Sequence, residues 1–182
     1  AGSLAAKTAA EKGLKTLLLE RGRKPGDKSV GGELLTQDVF HLFPWMLEGP
    51  LERPINRWSF HFQAADGRKA ELGISREKPY GYTVHRTVWD RWVARWAVDA
   101  GAKLKTSTLA VKLLFDGKGN VQGVETAEGG KFRSPLVVGA DGVNSMVARM
   151  AGLRGRWPPG SLALCVKHCY RLNSGEISRR FR

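Results

Sequence analysis

Apolar and polar positions recur along the chain with helical and strand periods, and this mixture predicts an α/β protein. An Ala-rich run from Leu4 to Lys12 predicts a helix, and Gly13 follows at the position where a glycine often ends one. Lys15–Glu20 then predicts a short buried strand that ends in an acidic residue. Further along, an apolar run at 136–139 predicts a buried parallel strand, because it leads through Asp-Gly into the helix-like start Asn144-Ser145.

The middle of the chain predicts a second, antiparallel sheet. Strict alternation over Arg57–Gln63 places three aromatic residues on one face, and Lys69–Ile74 returns after an Asp-Gly turn, so a β-hairpin is expected. We interpret the aromatic stripe as core, although such a sheet can also cover a ligand. The remaining predicted elements are a helix at Glu33–Phe43, a helix at Thr87–Ala100, a strand at Lys103–Thr106, a meander of Leu109–Phe115, Val121–Thr126 and Lys131–Ser134, and a strand at Leu162–Leu172.

Candidate chemistry begins with the spacing of the first helix and strand. Gly2 and Glu20 are eighteen positions apart. In a dinucleotide-binding βαβ unit, the last fingerprint glycine and the ribose-binding carboxylate are about 20 residues apart. The small residues Ala1, Gly2 and Ser3 allow close packing at the helix start, whose amides favour an anion. An ordinary αβ unit without a nucleotide is the alternative interpretation.

Three other segments offer ligand groups. Asp141 follows a predicted strand at the edge where open α/β sheets bind ligands, and Gly142 allows the backbone to approach a ligand. A basic, Gly-rich segment follows Glu20, and its Lys28 can contact a phosphate. The alternative interpretation of this segment is a flexible linker. Arg86, just before a predicted helix, can pair with a phosphate or with Asp90.

Composition sets further bounds. The chain has 182 residues, 42% of them hydrophobic, which suits a globular core, and no apolar run approaches the length of about 20 that spans a bilayer. The net charge of +13 leaves three interpretations open: a solvated basic surface, anionic lipid or an acidic partner, and nucleic acid, for which no motif is present. The two cysteines are expected to be reduced thiols, and no metal site is expected. The first strand and leading glycines of the fingerprint do not precede Ala1, so we expect a piece of a longer protein, truncated at both ends.

Several segments together closely resemble the FAD-binding geranylgeranyl reductase superfamily. They are Ala1-Gly2-Ser3, Glu20, Val84-His85-Arg86 with Trp89-Asp90, and Val138–Ser145. Within that superfamily, Gly26–Leu34 and Leu162–Lys167 are most similar to the FixC-like branch of electron-transfer flavoprotein–quinone oxidoreductases.

The resemblance implies a glutathione-reductase-type, Rossmann-like FAD-binding domain with a β-meander insert and part of a second β-sheet substrate domain. It implies an FAD-binding domain at 1–50 and 83–155, a substrate-domain hairpin insert at 51–82, and a return to the substrate domain at 156–182. The implied contacts with FAD are Ala1, Gly2 and Ser3 at the pyrophosphate, Glu20 at the adenosine ribose with Arg21 beside it, Arg86 in the pyrophosphate region, the Ala110 backbone at the adenine, Asp141 and Gly142 at the phosphoribityl portion, and Lys28, Gly31 and Gly32 near the isoalloxazine.

The function implied is that of an FAD-dependent oxidoreductase. Electrons would pass from an electron-transfer flavoprotein or a ferredoxin-like donor, through the flavin, to a quinone. Reduction of a geranylgeranyl (prenyl) lipid is the alternative, and a basic nucleic-acid or partner-binding module without flavin is a distant one. A cytoplasmic protein, in contact with the membrane surface, is expected. No side chain is assigned as a catalytic residue.

Overall fold

The computed structural model describes residues 1–27, 31–168 and 170–180. Five α-helices, one 3₁₀ helix at Pro44–Glu48 and ten strands lie in this part of the chain. In chain order they are α1 (Gly2–Glu11), β1 (Leu17–Leu19), β2 (Leu34–Thr36), α2 (Gln37–Leu42), β3 (Leu51–Ile55), β4 (Arg57–Gln63), β5 (Lys69–Ser75), β6 (Gly81–Val84), α3 (Arg86–Asp99), β7 (Lys103–Lys105), β8 (Ala110–Phe115), β9 (Val121–Thr126), β10 (Lys131–Arg133), α4 (Met146–Met150) and α5 (Ser174–Arg180).

The first of two compact units comprises Ala1–Ser29 and Asp90–Leu164. Its β1 and β7 pair in parallel, and β8, β9 and β10 form an antiparallel meander. Small residues allow α1 to lie close to its neighbours, and the buried cluster of this unit is made of Ala6, Ala97 and Ala102, with Ala10 and Leu18 packed against it. Because these side chains are short, the backbones of the packed elements come close together.

Helix α1 ends as its sequence predicts. Gly13 has a positive φ of 77°. Its amide donates to the carbonyl of Ala10, and the amide of Leu14 donates to that of Ala9. This pair of bonds is the Schellman arrangement, which satisfies two carbonyls at a helix end and turns the chain back toward β1.

The second unit comprises Val30–Trp89 and Cys165–Arg182. Strands β2, β6 and β3 form an antiparallel sheet in which Val84 is almost completely buried, and Phe40 meets the Tyr82 ring edge-on, with 5.3 Å between centroids. Strands β4 and β5 form the hairpin, in which Trp58 lies opposite Ile74.

The structure confirms most of the predicted elements. The Ala-rich helix, the short strand after it, the hairpin, the long middle helix and the three-strand meander all form, with bounds that differ from the predictions by at most three residues. Each of these elements has its hydrophobic period and its turn residues within one short stretch of sequence, which is the information that pattern analysis uses.

Four predictions are wrong. Residues 136–139 and 162–172 form no strand in the described part of the chain; Val138 and Leu164 are exposed there, and a β-strand exists only where a neighbour completes its hydrogen bonds. The predicted helix at Glu33–Phe43 begins only at Gln37, because residues 34–36 pair with β6. The aromatic stripe of β4 is not core: its side chains are 41–57% exposed.

Candidate functional site

The N-terminus of α1 offers backbone donors. The first intrahelical bond runs from the Ala5 amide to the Ala1 carbonyl at 3.0 Å, so the amides of Gly2, Ser3 and Leu4 precede any such acceptor. Within the described residues, no side chain caps this end and no acidic residue lies in the first turn. Both conditions leave the positive end of the helix dipole suited to an anion such as a diphosphate.

Gly2 also brings this helix end against a second predicted site segment. A Cβ at Gly2 would lie 3.2 Å from the Cβ of Ala140 and 3.6 Å from Cδ1 of Leu18. The absent side chain therefore lets α1 approach Ala140, the residue before Asp141. Two segments that are far apart in the sequence, both predicted to contact the same ligand, meet in the first unit.

The Asp141 carboxylate anchors the loop before α4. It accepts hydrogen bonds from the hydroxyl of Ser145 and from the amides of Met146 (2.7 Å) and Val147 (3.2 Å). Partial burial raises the pKa of Asp141, but these three hydrogen bonds outweigh it and hold the pKa below its usual value. Gly142 follows with a φ of 84°. The side chain thus orders the loop, and the Gly142 backbone stays open to solvent.

Glu20 lies directly after β1 and is half-buried. Its Oε1 accepts a hydrogen bond of 2.6 Å from the amide of Gly22. The Glu20 carbonyl accepts from the amide of Thr108, and Ala110 follows two residues later as the first residue of β8. Arg21 is exposed to solvent.

The remaining predicted site residues belong to the second unit or lie outside the residues that the structure describes. Nη1 of Arg86, the first residue of α3, donates to the carbonyl of Gly32 at 3.3 Å. Gly31 adjoins that contact along the chain. Lys28 lies outside the described residues.

Sequence reasoning missed three residues that hold the predicted ligand groups. Ser145 had a readable signal, since a serine just before a helix is a common cap, yet its bond to Asp141 was not predicted. Gly22 had a weaker sequence signal, namely a glycine two positions after an acidic residue. Ser107, whose amide donates to the Gly22 carbonyl, had none, because its partner is distant in sequence.

These groups fit a dinucleotide such as FAD. The first unit supplies uncapped amides for a diphosphate, a carboxylate for ribose hydroxyls, and a Gly2 that lets the start of α1 pack closely on Ala140, next to Asp141. No cluster of three or more potential metal-binding side chains occurs in the described residues. Within the same residues, none of the helices is both long and apolar enough to span a bilayer.

Comparisons with known proteins point the same way. A family model described as FAD binding domain matches residues 1–162. Protein FixC of Bradyrhizobium diazoefficiens is 34% identical over 195 aligned positions, and protein FixC of Escherichia coli K12 is 34% identical over 190; each alignment covers all of this chain and 43% of the relative. The chain therefore spans less than half the length of the curated relatives it matches.

Two solved structures show the same fold. A geranylgeranyl bacteriochlorophyll reductase-like protein from Thermoplasma acidophilum aligns with a TM-score of 0.57 at 24% identity, over 69% of this chain and 32% of its own. Halogenase PltM in complex with phloroglucinol and FAD aligns with a TM-score of 0.67 at 16% identity, over 83% and 34%. The matches confirm the predicted family resemblance, the Rossmann-like α/β fold class and FAD as the cofactor.

Proposed function

This chain belongs to the family of FAD-binding domains, and from that premise we propose that the protein is an FAD-dependent oxidoreductase. The observation that carries the proposal is the approach of the uncapped α1 N-terminus to the segment before Asp141, within 3.2 Å of where a Gly2 Cβ would lie. Bound FAD would supply the redox chemistry, and the protein would bind and orient it.

In this proposal each group of the first unit has a part. The amides of Gly2 and Ser3 bind the diphosphate, the Glu20 carboxylate accepts hydrogen bonds from the adenosine ribose, and the ordered Asp141–Gly142 loop contacts the phosphoribityl portion. The Ala110 backbone borders the adenine. From the family resemblance alone, we propose that Arg86, Gly31 and Gly32 are cofactor contacts. The hydrogen bonds at Glu20 and Asp141 support these assignments, because each fixes a carboxylate in place before a ligand arrives.

The first test is the visible absorbance of the protein purified without added cofactor. Flavin bands, with FAD released on denaturation, are expected. Glu20→Ala should lower FAD affinity about tenfold, the worth of one hydrogen bond to a charged group, whereas Glu128→Ala, at an exposed turn, should not. A colourless protein that also fails to take up added FAD would refute the proposal and favour a basic binding module.

The finer proposal concerns the electron acceptor. We propose a quinone, with an electron-transfer flavoprotein or ferredoxin-like protein as donor, because the alignment of this whole chain with part of the FixC proteins supports that branch of the resemblance. Reduction of a prenyl lipid is the second candidate, supported by the geranylgeranyl bacteriochlorophyll reductase-like neighbour. Quinone-dependent reoxidation of the dithionite-reduced protein would support the first, and turnover of a geranylgeranyl lipid without quinone reduction the second. We propose a cytoplasmic protein that contacts anionic membranes through its +13 charge, testable by vesicle co-sedimentation.

A further inference from the structure

The hydrogen bonds between the chain segments of β1 and β7 change just beyond the ends of both strands, at Ser107. The Glu20 amide donates to the Lys105 carbonyl at 2.9 Å, as a regular parallel ladder requires. In such a ladder the Ser107 amide would then donate to the Glu20 carbonyl. Instead Thr108 makes that bond, at 2.9 Å, so the chain that continues from β7 contains one residue more than a regular ladder, namely Ser107.

The extra residue redirects the Ser107 amide to a different acceptor. Ser107 has a φ of 49°, and it is the one non-glycine residue with positive φ in the described part of the chain. In this conformation its amide donates to the Gly22 carbonyl at 2.8 Å. The Gly22 carbonyl is thus bonded by Ser107, and the Gly22 amide, at 2.6 Å from Oε1, bonds the Glu20 carboxylate.

Space around this contact is tight. Gly22 is buried, and a Cβ on it would lie 3.1 Å from Oε1 of Glu20 and 3.2 Å from the Lys24 carbonyl oxygen. Among the described residues, Gly22 is also the one hydrogen-bond donor to the Glu20 carboxylate. The orientation of that carboxylate therefore depends on a single peptide, and that peptide depends on Ser107.

We propose that Ser107 is a positioning residue for the adenosine-ribose subsite: its left-handed backbone holds Gly22, which aims the Glu20 carboxylate at the ribose hydroxyls. This inference rests on the proposed function and deepens it. The Ser107 hydroxyl takes no part, since its side chain is exposed and the contact is made by the backbone. Residues that tolerate positive φ should therefore replace serine, and a β-branched residue should not.

The test is the affinity of the intact protein for FAD and for its analogue with 2′-deoxyadenosine, which lacks one ribose hydroxyl. We expect wild type, Ser107→Gly and Ser107→Asn to bind FAD about tenfold more tightly than the analogue, the worth of one hydrogen bond to a charged acceptor. Ser107→Val should reduce that preference to about twofold or less, mainly by weakening FAD. Ser75→Val, on exposed strand β5, is the matched control and should keep the preference.

Gly22→Ala provides an independent route to the same result, because a Cβ at 3.1 Å from Oε1 requires the Glu20 carboxylate to shift, while the φ of Gly22 carries no strain. If Ser107→Val does not fold, as judged by circular dichroism, the preference of Gly22→Ala for FAD over the analogue tests the inference instead. Undiminished preference in folded Ser107→Val, or in Gly22→Ala, would overturn the inference. Equal loss in Ser107→Gly would do the same, since it would implicate the hydroxyl. FAD binding by wild type with no preference would overturn this inference alone, whereas no FAD binding at all would overturn the proposed function.

Discussion

Replacing Asp141 by alanine should destabilise the loop and helix that border the proposed cofactor site. The carboxylate is the acceptor for three donors, namely the Ser145 hydroxyl and the amides of Met146 and Val147. The two amides lie in the first turn of α4, which has no acceptors of its own for them. Asp141→Ala removes every one of these bonds at once.

The size of the effect follows from the exposure of the site. Loss of a helix-capping side chain costs about 0.5–2 kcal/mol. Water can replace part of these bonds because Asp141 is exposed, so we expect about 1–2 kcal/mol, or a fall in Tm of about 2–8 °C for a chain of this length.

The same loss should depend on pH. The pKa of Asp141 lies below its usual value of 3.8, because the hydrogen bonds favour the charged form more than burial disfavours it. A lowered pKa in the folded state means that the stabilisation is fully present above pH 3.8 and is lost as pH falls through the folded-state pKa. The difference in stability between wild type and Asp141→Ala should therefore shrink in acid.

Thermal unfolding followed by circular dichroism at neutral pH and well below pH 3.8 measures both effects. Asp99→Ala, an exposed residue at the end of α3, is the control and should leave Tm within about 1 °C, as expected for a surface substitution. An unchanged Tm for Asp141→Ala at neutral pH would show that the three bonds contribute nothing. A deficit that stays constant into acid would show that the charge of the carboxylate is not what stabilises the loop.

Two further predictions concern glycines that packing requires. A Cβ on Gly139 would lie 2.8 Å from Cγ1 and 2.9 Å from Cβ of Val147, so Gly139→Ala should cost about 1–3 kcal/mol in thermal unfolding. Relative to the Val147→Gly single variant, which lacks both atoms, adding Gly139→Ala should cost much less; an equal cost in both backgrounds would contradict the contact. A Cβ on Gly81 would overlap the Leu35 carbonyl of the paired strand, so Gly81→Ala should leave little folded protein in soluble expression. Gly117→Ala is the control: Gly117 has open space around it and no strained φ, so this variant should express like wild type. Equal yields of the two variants would refute the packing argument.

Much of the architecture could be predicted from the sequence. The period of the Ala-rich run and Gly13 predicted α1 and its end, the alternation around Trp58 predicted the hairpin, and the spacing of Gly2 and Glu20 predicted a nucleotide-binding unit. These features are local: a helix period, a turn residue and a fixed spacing are all carried by neighbouring residues. The domain boundaries near 50, 82 and 155 stay a prediction.

The tertiary structure decided which apolar runs became strands and how the acidic side chains are held. Val138 and Leu164 lie in apolar runs with the pattern of a strand, and both are exposed. A strand needs a hydrogen-bonded neighbour, and the sequence of the run does not specify that neighbour. The sequence alone predicted Glu20 and Asp141 as nucleotide-binding residues, from a spacing and a strand end that related folds use. Only the folded chain showed that the Ser107 amide bonds the Gly22 peptide, which in turn bonds Glu20, and that Ser145 bonds Asp141, because a hydrogen bond depends on the position of both partners in space.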